Sequence, residues 1–304
     1  MPNMTTRSEL LMRHRLRALA RTLPAARLGD AHAIHQARVA TRRLREALPL
    51  VVEGGRGRTL EARVRSLTRR LGPVRELDVV LHTLDALETA GDVPRRAIDC
   101  LRAVVGEERR RLHRDLARRV GDFDMDTLRR KAVSGARKHD LAIARASGRE
   151  GRARRRVDPA DLAVSDRRAA RRALGLRAAI ENAAGIYLPD RLHAVRIAVK
   201  KLRYAMEVAR DLRGSRAQVR IRTLKRAQEL LGRMHDLEVL IARTRAVQGS
   251  PRAADLRLSA DLDRLVRHLE NECRRLHGHY IASRPAILAV CDHVSSPVAR
   301  ERAA

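Results

Sequence analysis

The sequence predicts an all-α protein made by tandem duplication of a four-helix unit, and three observations predict it. The first is a repeat. His35-Gln-Ala-Arg38-Val-Ala-Thr-Arg42-Arg43-Leu44-Arg45-Glu-Ala-Leu48 returns 158 residues later as His193-Ala-Val-Arg196-Ile-Ala-Val-Lys200-Lys201-Leu202-Arg203-Tyr-Ala-Met206. Six of these fourteen positions are identical and four more keep their character, which marks a duplicated unit. The second is composition. One Phe, three Tyr and no Trp in 304 residues leave Ala, Leu and Val to fill the core, and small side chains suit close-packed helices better than sheets. The third is punctuation: stretches of helical period are separated by short Gly- or Pro-bearing breaks, as antiparallel helices require.

Taken in order, a leader helix is expected near 5–23 and the basic helix over about 30–53. The latter ends at the Gly-rich turn Glu53-Gly-Gly-Arg-Gly. A helix near 58–71 stops at Leu71-Gly72-Pro73, a Gly C-cap with Pro just inside the next helix. That helix ends near Gly91, and a long one runs from Pro94 to about Val120. In the second array Leu231-Gly232-Arg-Met-His235-Asp236-Leu237-Glu238 corresponds to Leu71-Gly72-Pro-Val-Arg75-Glu76-Leu77-Asp78, and Arg274-Arg275-Leu276-His277 to Arg110-Arg111-Leu112-His113. The offset drifts only from 158 to 164, so a turn is expected at each matching place.

A folded unit is thus expected over 7–283, with a first helical repeat at about 30–120 and a second at about 166–283. Between them, 121–165 holds a connecting helix (126–146) and a flexible basic loop from Ser147 to Pro159 that carries Arg152, Arg154, Arg155 and Arg156. The tail 284–304 is expected to fray.

The basic helices carry the chemistry. At about 100° per residue, His35, Arg38, Arg42 and Arg45 fall on one face, and Ala33, Ala37, Ala40, Leu44, Ala47 and Leu48 on the opposite one. The second copy repeats both faces, with His193, Arg196, Lys200 and Arg203 against Val195, Ala198, Leu202, Ala205 and Met206. Arg43 and Lys201 lie at the margin, and Glu46 and Glu207 only flank the stripe. Like charges stacked one turn apart weaken a helix by a few tenths of a kcal/mol per pair, roughly, and an anionic ligand reverses that sign. A polyanion is the ligand this pattern calls for.

Composition agrees. A net charge of +30 predicts salt-sensitive binding to polyphosphate, nucleic acid or an anionic surface. Only five residues are Lys, yet Lys200, Lys201 and Lys225 lie in or just after the second basic helix. Cys100, Cys273 and Cys291, an odd count without a CxxC pair, speak against a disulfide framework, a zinc ribbon or a Cys nucleophile. The histidines include the close pairs His32/His35 and His277/His279, but the two repeated histidines sit among cations that repel a metal ion, so neither metal nor other cofactor is expected. No apolar run of ~18 residues exists to span a membrane, and the basic helices lack the bulky anchors of an interfacial helix. Met1-Pro-Asn-Met-Thr-Thr-Arg lacks the apolar stretch of a signal peptide, so a cytoplasmic protein is expected. Non-specific nucleic-acid binding is the alternative partner class. Against it stands the shortage of aromatic side chains, the stacking platforms of single-strand binders.

The paired strings HxxRVxxRRLRxxL and HxxRIxxKKLRYxM, each followed by its Leu-Gly turn motif, resemble the CHAD domain, the conserved histidine α-helical domain, over almost the whole chain. The resemblance implies an all-α fold of two four-helix bundles related by pseudo-twofold symmetry. It implies binding of inorganic polyphosphate through a basic surface groove, and association with polyphosphate granules. Carried over by residue, the groove would be lined by His35, Arg38, Arg42, Arg43, Arg45, His193, Arg196, Lys200, Lys201 and Arg203. Lesser candidates are Arg65, Arg69, Arg75, Lys225 and His235, and weaker still Arg111, His113, Arg275 and His277. Two departures stand out. The ExExK strand of a fused triphosphate tunnel domain has no counterpart, since Glu270-Asn-Glu272-Cys-Arg274 sits in a helical run, and no enzymatic activity is expected. The halves also differ where Arg75 stands in one and His235 in the other.

Overall fold

The computed structural model describes residues 7–52, 54–146, 159–183, 185–213, 218–250 and 255–296. The basic loop 147–158 lies outside them. The described residues form α-helices and no strand, so the chain is all-α: α1 (Arg7–Arg27), α2 (Ala31–Val51), α3 (Gly54–Arg70), α4 (Gly72–Ala90), α5 (Arg95–Gly121), α6 (Met125–Ala146), α7 (Pro159–Asn182), α8 (Pro189–Arg213), α9 (Gln218–Gln248) and α10 (Leu256–Ser295).

Local chemistry sets the start of the first basic helix. The Asp30 side chain accepts a hydrogen bond from the Ala33 N–H at 2.5 Å and caps α2. The turn before it is clamped from α5: Arg109 donates to the Gly29 carbonyl at 2.7 Å, and Nε2 of His113 lies 3.1 Å from the Arg27 carbonyl. Gly29 takes φ +87°, and a Cβ there would stand 2.6 Å from Nε2 of His113, so both the backbone and the approach demand glycine. His113, a weaker binding candidate by its repeat, thus has a structural job.

The two halves are not equal in outline. The first has a break at Leu71 between α3 and α4, with Pro73 in the first turn of α4. In the second, α9 runs unbroken through Leu231-Gly232-Arg233, where the sequence pattern predicts a turn. Proline has no N–H for the preceding turn and its ring crowds the carbonyl four residues back, whereas Arg233 continues the ladder. The expected frayed tail is corrected as far as Ser295, since α10 passes Ser283 and Pro285 and ends there, while 297–304 lie outside the described residues. Ile287, Val290 and Cys291 recur at helical spacing and are buried, so the apolar face holds this segment in place. Arg177 of α7 pairs with Asp292 alongside.

Packing does not follow the sequence repeat either. One core cluster joins α1, α2, α3, α6 and the C-terminal half of α5 (Leu116, Val120), and takes in Val208 and Leu212 of α8. The other joins α7 to α10 and also α4 and the N-terminal half of α5, through Leu77, Val80, Leu84, Ile98, Leu101 and Val105. The α4–α5 hairpin therefore bridges the two arrays, with Val74, Leu116 and Val120 in the first cluster and its remaining buried apolar residues in the second. This crossing, and the direct contact of α2 with α8, set the two basic helices side by side.

Candidate functional site

The buried face of α2 (Ile34, Ala37, Leu44, Leu48) and that of α8 (Val195, Val199, Leu202) fix how each helix is rotated, and so where its cations point. Arg42 of α2 lies within electrostatic reach of both Arg196 and Lys200 of α8, and Arg38 also acts on Lys200. Arg75 of α4 acts on His35 from one side and on Asp236 of α9 from the other. The structure thus brings His35, Arg38, Arg42, Arg75, Arg196 and Lys200 into one neighbourhood.

Their electrostatics follow from burial among like charges. Burial, then Arg196 and Arg42, push the Lys200 ammonium down to about 6. Arg38 is lowered to about 10, by burial and then by Arg42 and Arg75, while its Nη1 donates to the Thr68 carbonyl at 2.9 Å. Arg196 is lowered by burial, and its Nε is buried without a hydrogen-bond partner among the described residues. Arg75 and the imidazole of His35 are lowered too, burial again leading. His193 is held down by burial and then by His235, whose Nδ1 lies 3.3 Å from its own.

Several expected residues have other duties. Arg203 was expected on the open stripe; this is corrected, since it is 8% exposed, pairs with Glu207 and donates from Nε to Gln228 at 2.8 Å. Glu207, read as flanking, is buried and also receives Arg43 at 3.3 Å. Glu46 receives Arg168 of α7 at 2.8 Å. Arg45 is lowered by burial and by Arg65, with Glu61 3.9 Å away. Lys201, Arg65, Arg69 and Lys225 are exposed. Arg65 is taken up by Glu61 at 2.7 Å and Lys225 by Glu229 at 3.6 Å. Of the weaker candidates, Arg275 pairs with Glu272 at 2.7 Å, and His277 stacks edge-on against Tyr187 with centroids 5.4 Å apart. Among the described residues no three His, Cys, Asp or Glu side chains gather as a metal site.

The CHAD domain family model matches residues 10–245. The chain belongs to the CHAD domain family. The crystal structure of the CHAD domain from the plant Ricinus communis is similar in fold at a TM-score of 0.62 and 21% identity, covering 94% of this chain and 93% of that one. PptA from Streptomyces chartreusis gives a TM-score of 0.64 at 16% identity, covering 92% of this chain and 99% of that one. No curated protein matches the sequence. Among the described residues of this CHAD domain, no helix is long and apolar enough to cross a membrane.

Sequence reasoning missed one member of the cluster. Asp236 has its carboxyl raised by burial, opposed by Arg196, His235, Lys200 and Arg75, so it is the internal counter-charge of the site. The signal was in the repeat: Asp236 matches Glu76, and Glu76 acts on Arg38 as Asp236 acts on Arg196. Each half therefore carries the same Arg and acid combination, built from its basic helix and the segment after its Leu-Gly motif.

Proposed function

We propose that this CHAD domain binds inorganic polyphosphate, without chemistry of its own, through a basic groove formed where α2 meets α8. In the cell it would be a cytoplasmic protein at polyphosphate granules. The observation that carries this reading is that cations of both copies are buried together: Arg38 of α2 and Arg196 and Lys200 of α8 are each lowered by burial, with Arg42 bearing on all three, and Lys200 is driven to about 6. Asp236 stands among them, and Glu238 also acts on Arg196. Cations packed together against their own solvation are stabilised by an anion that touches several at once, and arginine forks match phosphate oxygens.

A phosphate chain without bases fits better than nucleic acid. The whole chain has four aromatic side chains. Phe123, Tyr204 and Tyr280 are buried, and Tyr187 is half-buried with its hydroxyl donating to Glu238 at 2.7 Å. None offers an open face on which a base could stack. The charge of +30 still attracts any phosphate backbone. The test is competition at fixed salt and matched phosphate concentration between long polyphosphate, short polyphosphate, single- and double-stranded DNA and heparin. Long polyphosphate should win; equal binding of duplex DNA at ~0.2 M salt would instead favour general phosphate-backbone binding.

A further inference from the structure

Two positions that the first half fills with arginine are filled with titratable residues in the second. In the register that sets His35 on His193, Arg42 corresponds to Lys200; in the register that sets Leu71-Gly72 on Leu231-Gly232, Arg75 corresponds to His235. Each half thus holds a repeated histidine against the residue that follows its Leu-Gly motif. In the first half His35 faces Arg75, a cation at every ordinary pH. In the second, Nδ1 of His193 lies 3.3 Å from Nδ1 of His235, with ring centroids 4.7 Å apart.

At that separation one nitrogen donates and the other accepts. The pair can take one added proton on an outer nitrogen and keep its contact; a second would set N–H against N–H. The charged groups around the pair come from four helices. Arg196 and Lys200 of α8 act on His193, Arg42 of α2 acts on those two cations, and Arg75 of α4 acts on Asp236. On α9, Glu238 Oε2 is 3.9 Å from Nδ1 of His235, while its Oε1 accepts from Tyr187. Burial and the cations oppose a proton on His193, Glu238 favours it, and the opposition prevails. A chain of phosphates brings several negative charges at once and reverses that balance.

Resting on the polyphosphate reading above, we propose that the site is unequal: one half sets the permanent cations Arg42 and Arg75 beside a single titratable group, His35, and the other is proton-loaded, built on Lys200 and the His193–His235 pair. Anion binding draws protons from solvent onto the second half. The domain thereby grips polyanions more tightly as pH falls through the histidine range, between about 8 and 5.

The experiment is calorimetric titration of the full chain with long-chain polyphosphate, across that pH range and in two buffers of different ionisation enthalpy, which counts the protons taken up. The native chain should take up about one proton or more, equivalent to ~tenfold tighter binding per pH unit per proton. His235→Arg should lower the uptake by up to one proton and tighten binding at the alkaline end. Lys200→Arg should act in the same direction, and Arg75→His should raise the uptake. Imidazole titration followed by NMR without ligand gives a second readout: His193 should titrate in a coupled manner beside His235, and in a single step in His235→Arg. Polyphosphate binding with the same proton uptake in all four proteins overturns this inference alone. No polyphosphate binding at any pH overturns the parent reading and this one with it.

Discussion

Nε of Arg43 lies 3.3 Å from Oε2 of Glu207, an ion pair that joins the two duplicated helices. Glu207 also pairs with Arg203 on its own helix, and its side chain is only 7% exposed. One buried carboxylate therefore holds a cation from each copy of the repeat. That contact helps fix α2 beside α8, and with it the distance between the two basic stripes.

Removing Glu207 should accordingly be a folding mutation. Glu207→Ala leaves the Arg203 guanidinium buried with no carboxylate, held by Gln228 and the face of the Tyr204 ring. Loss of one partner of a buried pair costs about 3–5 kcal/mol. Arg43→Ala removes the 40%-exposed end and should cost no more than ~1 kcal/mol. Chemical denaturation of the two variants decides; equal losses would mean that the shared carboxylate does not organise this contact.

Binding should respond most to Arg42. Arg42→Ala removes the cation that bears on both Arg196 and Lys200, leaving the α2 core face untouched. By analogy with nucleic acids, the log–log salt slope for polyphosphate should flatten by about 0.7–0.9, with an unchanged helical spectrum. Replacing Arg152, Arg154, Arg155 and Arg156 together by Ala removes more charge from the sequence and should matter less. If the fourfold variant binds as poorly as Arg42→Ala, total charge governs the interaction and the assigned residues are wrong.

Lys200 links stability to pH. It is a base whose folded value, about 6, lies below its ordinary 10.5. Between those values the unfolded chain binds this proton more readily than the folded one. The group therefore takes stability away as pH falls from about 10.5 to about 6, and the whole deficit is present below 6. Lys200→Met should raise Tm near neutrality, by roughly 2–4 °C per kcal/mol recovered, and the gain should shrink toward pH 10.5. The same variant should bind polyphosphate less tightly. Thermal melts across pH check the first effect and titration the second; a gain that does not vary with pH would show that the ammonium is not its source.

Chain length should matter because the stripes come from two helices. Once one stripe holds a long polyphosphate, the tethered phosphates reach the other at high effective concentration. Tri- and tetraphosphate should therefore bind far more weakly than long chains at equal phosphate concentration. Equal affinities, measured by competition, would mean that each stripe works alone.

Much of this was legible in the residues because helices write their faces into the sequence with a period of 3.6. The paired histidines, Arg38, Arg42, Arg196 and Lys200 were found by that period and by the 158-residue repeat, as were the all-α class and the family. The wheel failed at Arg203. Its angle places it on the open stripe, but α8 is packed by α2, α7 and α9, so the face that is open on paper is covered, and Glu207 and Gln228 receive the charge.

By itself, the sequence determined the all-α class, most of the helices and their apolar faces, and the repeated cations, because these depend on residues a few positions apart. Even the unequal outlines trace to a local cause: Pro73 breaks a ladder that Arg233 continues. Only the tertiary structure decided that the α4–α5 hairpin bridges the two arrays and that Arg42 comes to Lys200. It alone set Asp236 among the cations and left His193 against His235. Those relationships join residues tens to more than a hundred positions apart in the chain. They follow from which apolar faces bury one another, and helical periodicity names the faces without naming their partners.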